Sequence, residues 1–141
     1  MLKGFPNQIA NLVKLARALG VAQEAAVRGE NIRDDGVLGE ALVRAQVLGT
    51  GHTPRPIDEY LDEQRQRQPS LQSHRTSARG LRELFRLMRC MEEDSVANAA
   101  WLTPLGETLA RNSLDELSEA ERAQWRVAIA SIRLGSPVDG V

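Results

Sequence analysis

A mainly helical fold is predicted for this chain from three features of its sequence. Only 4% of its 141 residues are aromatic, so a core must be built from Leu, Ala, Val and Ile, which suit helix packing and serve a β-sandwich poorly. Apolar residues recur three and four apart over several stretches, the spacing of one helix face. Those stretches are bounded by residues that cap or break helices. With 42% apolar and 26% charged residues and a net charge of -1, the chain can bury a core and is not a disordered polymer. Its length suits one domain over residues 1–141.

Pro6 followed by Ile9, Leu12, Val13, Ala16 and Leu19 predicts an amphipathic helix from Asn7. Gly20 either ends it or is absorbed at about 1 kcal/mol, because VAQEAAVR continues with helix formers to Gly29; one bent helix or two short ones fit equally. Asp34 or Asp35 caps the next helix, with Val37, Leu38, Ala41, Leu42, Ala45 and Leu48 inward and Gly49 at its stop. GTGHTPRP reads as an exposed loop. Pro56 then starts a short charged helix, IDEYLDEQRQRQ, that buries Ile57, Tyr60 and Leu61.

After the polar stretch QPSLQSHRTS, Thr76 or Ser77 caps a helix over residues 78–91. An acidic turn, EED, follows. Trp101 and Leu102 read as a short strand anchored by Trp101 in the core, and Thr103 with Pro104 as the cap and first residue of a small helix. Ser118 and Glu121 form the S-x-x-E box of a last helix, about residues 118–134, with Trp125, Ala128, Ile129 and Ile132 on its inner face and Gly135 and Pro137 at its end. Residues 1–50 are thereby a helical extension ahead of a smaller unit. The apolar stripes of the first and last helices either close the core or pair two protomers as a homodimer.

Several chemistries lack their residues. Cys90 is the only cysteine and His52 and His74 are far apart, so no internal disulfide, Cys/His zinc site or other metal is expected, and no cofactor. Lys3 and Lys14 are the only lysines, both in the first helix, which leaves the strand-borne acidic/Lys arrangement of many nucleases unassembled. Phosphate-binding Gly loops and a nucleophile elbow are missing. The two histidines, placed in polar loops, read as solvated groups or as phosphate contacts; Asp34 with Asp35 and Glu92 with Glu93 read as caps and turns. The chain is therefore expected not to be an enzyme. The N-terminal stretch is too interrupted by polar residues for a signal-peptide core or a membrane span, and a cytoplasmic location is the default.

At a net charge of -1 any polyanionic partner must be met by a local patch. One helix supplies it. At about 100 degrees per residue, Leu81, Leu84, Phe85, Met88 and Met91 share one side of the helix 78–91, and Arg79, Arg82, Arg86 and Arg89 gather roughly opposite. Arg75, just ahead of the cap, extends the patch. Guanidinium groups in such a row can contact phosphates and guanine edges.

The helix 78–91 followed by WLTPLGETLA, residues 101–110, resembles the end of winged helix-turn-helix domains in bacterial regulators of the MarR and PadR kind. The resemblance covers about residues 77–110. It implies a winged helix-turn-helix core with a short β wing and additional terminal helices, and a recognition helix whose Arg75, Thr76, Ser77, Arg79, Arg82, Arg86 and Arg89 meet double-stranded DNA, with residues 95–100 as the wing tip. The implied role is a transcriptional regulator or the DNA-targeting module of a restriction or phage-defence system. The alternative is a non-catalytic module that uses the same fold to dock a protein partner.

Overall fold

The structure is a computed structural model that describes residues 12–51, 54–111 and 117–139, with side chains as far as residue 130 and at Ile132. It is mainly helical: α1 (Leu12–Val27), α2 (Asp35–Arg44), α3 (Ile57–Arg65), a single 3-10 turn (Pro69–Leu71), α4 (Ser73–Leu87), strands β1 (Met91–Asp94) and β2 (Ala99–Leu102), α5 (Pro104–Ala110) and α6 (Glu119–Asp139). The expected helix start at Asn7 lies outside the described residues. No helix among those described is long and apolar enough to cross a membrane.

α1 runs unbroken through Gly20, which is buried with Leu15, Ala16, Ala18, Leu19, Ala22 and Ala25 on the inner face. It ends where Gly29 adopts φ +85 and the N–H groups of Gly29 and Glu30 return to the carbonyls of Ala26 and Ala25. These paired bonds close the last turn. Asp34 caps α2: its Oδ1 accepts from the N–H groups of Gly36 at 2.8 Å and Val37 at 3.1 Å. α2 stops earlier than Gly49, because Gln46 takes φ +61 and the same pair of bonds forms from Gln46 and Val47 to Val43 and Leu42. Val47 and Leu48 still point into the core, from the turn rather than from the helix.

Pro56 is the residue before α3, not its first, and α3 ends at Arg65. Tyr60 and Leu61 are buried as the pattern required, and Gln64 with them. Gln64 decides where α4 begins. Its Oε1 accepts the N–H of Ser73 at 3.1 Å, and the Tyr60 and Ser73 hydroxyls meet at 2.7 Å. An N-terminal N–H that would otherwise lack a partner is satisfied from another helix, so α4 starts at Ser73 and Thr76 and Ser77 are its fourth and fifth residues rather than its cap.

α4 also ends early. Arg89 takes φ +63, Cys90 donates to the Phe85 carbonyl, and Met91 belongs to β1 instead of the helix. The residues read as an acidic turn, Glu92 to Asp94, are the body of β1. β1 and β2 pair antiparallel with Met91 opposite Leu102, Glu92 opposite Trp101, Glu93 opposite Ala100 and Asp94 opposite Ala99. The tip is therefore residues 95–98. There Asp94 Oδ1 accepts from the N–H groups of Val96 and Ala97, and Asn98 supplies the left-handed residue at φ +52, a conformation that Asn tolerates. The tip is fastened to the α1–α2 connection: Asn31 Nδ2 donates to the Asn98 carbonyl at 2.8 Å and Arg33 Nη1 to its Oδ1 at 2.9 Å.

Thr103 and Pro104 start α5 as expected, with Thr103 Oγ1 accepting from Gly106 N at 3.1 Å and donating to the Arg89 carbonyl at 2.6 Å. A Cβ on Gly106 would lie 1.9 Å from the Cys90 carbonyl oxygen. Gly106→Ala is expected to cost about 1 to 3 kcal/mol through overpacking, read as a lower midpoint in urea unfolding; an unchanged midpoint would show that α5 can back away from the hairpin root. Ser118 and Glu121 satisfy each other across the first turn of α6, Ser118 N to Glu121 Oε1 at 2.8 Å and Glu121 N to Ser118 Oγ at 3.2 Å. α6 passes Gly135 and Pro137 and ends at Asp139.

The core lies between these elements. α2 packs along α4, α1 packs on α2, α5 and β2, and α6 rests against α4 and α5. α1 and α2 are thus part of the central packing. Of the stripes that had two possible uses, Ala16 and Leu19 of α1 and Trp125, Ala128 and Ile132 of α6 are buried within the chain, Leu12, Val13 and Ile129 are half-buried against it, and Ile9 lies outside the described residues. Cys90 is buried as well, and burial pushes its thiol pKa up to about 12.

Candidate functional site

α4 packs through Ala78, Leu81, Leu84 and Phe85, as its apolar side demanded, and Met88 follows from the residue after the helix. The arginines do not form one exposed row. Arg82 is buried, with a side chain 10% exposed against 58% for Arg79 and 49% for Arg86. Arg82 lies on the flank of α4 where the start of α2 and strand β1 meet it, so a neighbouring element covers part of what is geometrically the polar side.

Two carboxylates organise this flank. Asp35, in the first turn of α2, accepts from Arg82 Nη2 at 2.9 Å and Arg79 Nε at 3.0 Å. Glu93, in the middle of β1, takes the other side of Arg82 in a short ion pair and stands 3.6 Å from Arg86 Nη1 and 3.8 Å from Arg33 Nε. Burial opposes the Arg82 charge, but the hydrogen bonds and charges of Glu93 and Asp35 outweigh it and raise the Arg82 pKa above the ordinary arginine value. Asp35 also sits at the positive end of the α2 dipole, a favourable place for a carboxylate. The arrangement is a charge-paired joint between helix, helix and hairpin.

The remaining expected contact residues fall around this joint. Arg75 is half-buried and lies across α2 at Gly36, where a Cβ would stand 2.3 Å from its Nη1. Thr76 is exposed, with its hydroxyl donating weakly back to the Gln72 carbonyl at 3.5 Å, and Ser77 is half-buried. Arg89 is exposed beyond the helix end in its left-handed conformation. Arg75 and Arg89 have no carboxylate partner among the described residues. Trp101, expected in the core, is 45% exposed and its Nε1 donates to Glu92 at 3.1 Å. It stands near exposed Leu87, beside a shallow groove that Arg86 and Arg89 also line.

Sequence reasoning misses Asp35 and Glu93, which it assigns to a cap and a turn. A signal exists: four arginines at helical spacing stand between two acidic pairs, and internal neutralisation is one outcome of that pattern. His74, read as a loop residue, is in the first turn of α4 and 3% exposed. His52 lies outside the described residues. No family model, no curated protein and no solved structure matches the chain.

Proposed function

We propose that the chain is a non-catalytic winged-helix module that binds double-stranded DNA through the N-terminal half of α4, acting as a transcriptional regulator or as the targeting part of a restriction or phage-defence system. The observation that carries this reading is the solvent-facing side of α4: with Arg82 withdrawn into the joint, Arg75, Thr76 and Arg79 remain at its N-terminal end and Arg86 and Arg89 beyond, next to a two-stranded hairpin in the position of a wing. Arg75 and Arg89 are the cations of this set that need no carboxylate among the described residues released before they meet a phosphate. The joint gives Asp35 and Glu93 a supporting task, to hold α4 at a fixed angle to α2 and the hairpin.

The test is duplex binding by the Arg75→Ala, Arg79→Ala double variant. Neither residue is a core residue, so folding should survive within about 0.5 to 1 kcal/mol per change. Binding of random duplex should weaken and its dependence on salt should become shallower by about two units of slope, roughly 0.9 for each phosphate that is no longer neutralised. Wild-type affinity and slope in a folded double variant would sink the reading. A protein-docking module is the second reading, favoured by Trp101 and Leu87 standing exposed on one side of the hairpin; indifference to DNA at low salt would move the weight there.

A further inference from the structure

The first turn of α4 has another flank, about 160 degrees round the helix from Arg75, where Ser73 and Ser77 line a groove. Its other walls are Lys14 of α1, Arg55 and Arg67 just outside the two ends of α3, and the loop 47–51. The carboxylates near these three cations are Glu63, which ion-pairs with Arg55 and Arg67, and Glu59, which acts on Arg55 from further away. Glu63 is engaged by Arg55 in a short ion pair and stands 3.6 Å from Arg67, whereas Lys14 has no carboxylate partner among the described residues. Arg55 is held in place over the Tyr60 ring, 5.4 Å from its centre.

His74 is the second, independent sign. His74 lines the same groove, its side chain is 3% exposed, and its Nδ1, shut off from solvent, has no hydrogen-bond partner. Its Cδ2 edge is set against Gly39 of α2, where a Cβ would come within 2.8 Å, and it meets the Tyr60 ring in a T-shaped contact with centroids 6.4 Å apart. Gly39 has no room for a side chain, because the His74 backbone carbonyl oxygen lies closer still, at 2.7 Å. Burial lowers the His74 pKa, against a weaker opposing pull from Glu40. Buried polar rings ordinarily find a partner. The helix start adds to this, since Gln72 makes no side-chain cap bond there.

We propose that this groove binds the phosphoryl group of a phosphate ester, ion-paired by Lys14, Arg55 and Arg67 and hydrogen-bonded by Ser77, with the buried His74 ring beside it at the N-terminal turn of α4. A helix of fifteen residues directs the positive end of its dipole at this turn. A tetrahedral oxyanion can accept from several directions at once, which suits cations arriving from α1 and from both ends of α3. The ester can be that of a free nucleotide or of a nucleic-acid backbone, because the donors are the same. The assignment does not rest on the DNA reading above.

The test follows the imidazole signals of the intact chain by NMR, with a His52→Asn variant to assign them, while inorganic phosphate replaces chloride at constant ionic strength. The His74 signals are expected to move and saturate, and in a Lys14→Ala, Arg67→Ala double variant that melts like the wild type the apparent affinity should fall about tenfold or more, the effect of removing charge-assisted hydrogen bonds. Titrations with a nucleoside monophosphate and with a short duplex separate the sources. A tighter nucleotide assigns a free ester. A tighter duplex whose salt slope drops by roughly two in the double variant assigns the backbone. His74 signals that stay fixed with all three ligands, or that move identically in the double variant, overturn the site.

Discussion

Arg82→Ala is expected to destabilise the domain by about 3 to 5 kcal/mol, the range for removing one member of a buried ion pair. Among the described residues Arg82 is the one cation shared by Asp35 and Glu93, whose side chains are each 10% exposed. Its loss leaves two half-compensated carboxylates between α2, α4 and β1. Arg79→Ala and Arg86→Ala remove partners that are about half exposed, and each should cost no more than about 1 kcal/mol. Urea unfolding followed by circular dichroism measures all three, and an Arg82→Ala variant as stable as Arg79→Ala would show that the joint is solvated in solution. The contrast also governs any binding experiment. A triple change of Arg79, Arg82 and Arg86 would mix this loss of stability with any loss of contact, and so cannot report contact alone.

Trp125→Ala should be as damaging, about 3 to 5 kcal/mol, because a large buried aromatic leaves both its transfer energy and a cavity behind. Trp125 is 0% exposed on α6, and its Nε1 has no hydrogen-bond partner, so what it contributes is packing. Trp101→Ala, by contrast, removes a ring 45% exposed with one hydrogen bond to Glu92 and should change stability by about 0.5 to 1 kcal/mol. Thermal unfolding of the two variants side by side decides it. If the order were reversed, the hairpin would have to be turned over, with Trp101 inward.

The fold is legible where the chemistry is local. Asp34 before α2, Thr103 with Pro104 before α5 and the Ser118–Glu121 pair before α6 act through groups within three residues of one another, and each helix begins as its sequence requires. Helix ends are less legible. Gln46 and Arg89 occupy a left-handed conformation that neither side chain favours, and only the packing of Leu48, Cys90 and Met91 beyond them accounts for it. The start of α4 depends on Gln64, nine residues earlier. In the hairpin, AAWL offers apolar residues to both faces of β2, and the pairing of Met91 with Leu102 selects the inward one. The site suffers most. A polar arc drawn round one helix cannot reveal that α2 and β1 cover the part of it holding Arg82.

The fastening of Asn98 to Asn31 and Arg33 spans 67 and 65 residues of chain. Two strands of four residues have little stability of their own, and closing so long a loop before its contacts exist is entropically unfavourable. The hairpin is therefore expected to acquire its order late in folding, after α1, α2 and α4 have brought the α1–α2 connection to it. For the same reason its amide protons are expected to exchange through an opening that also frees Asn31 and Arg33, the behaviour of one cooperative unit rather than of an arm that moves by itself.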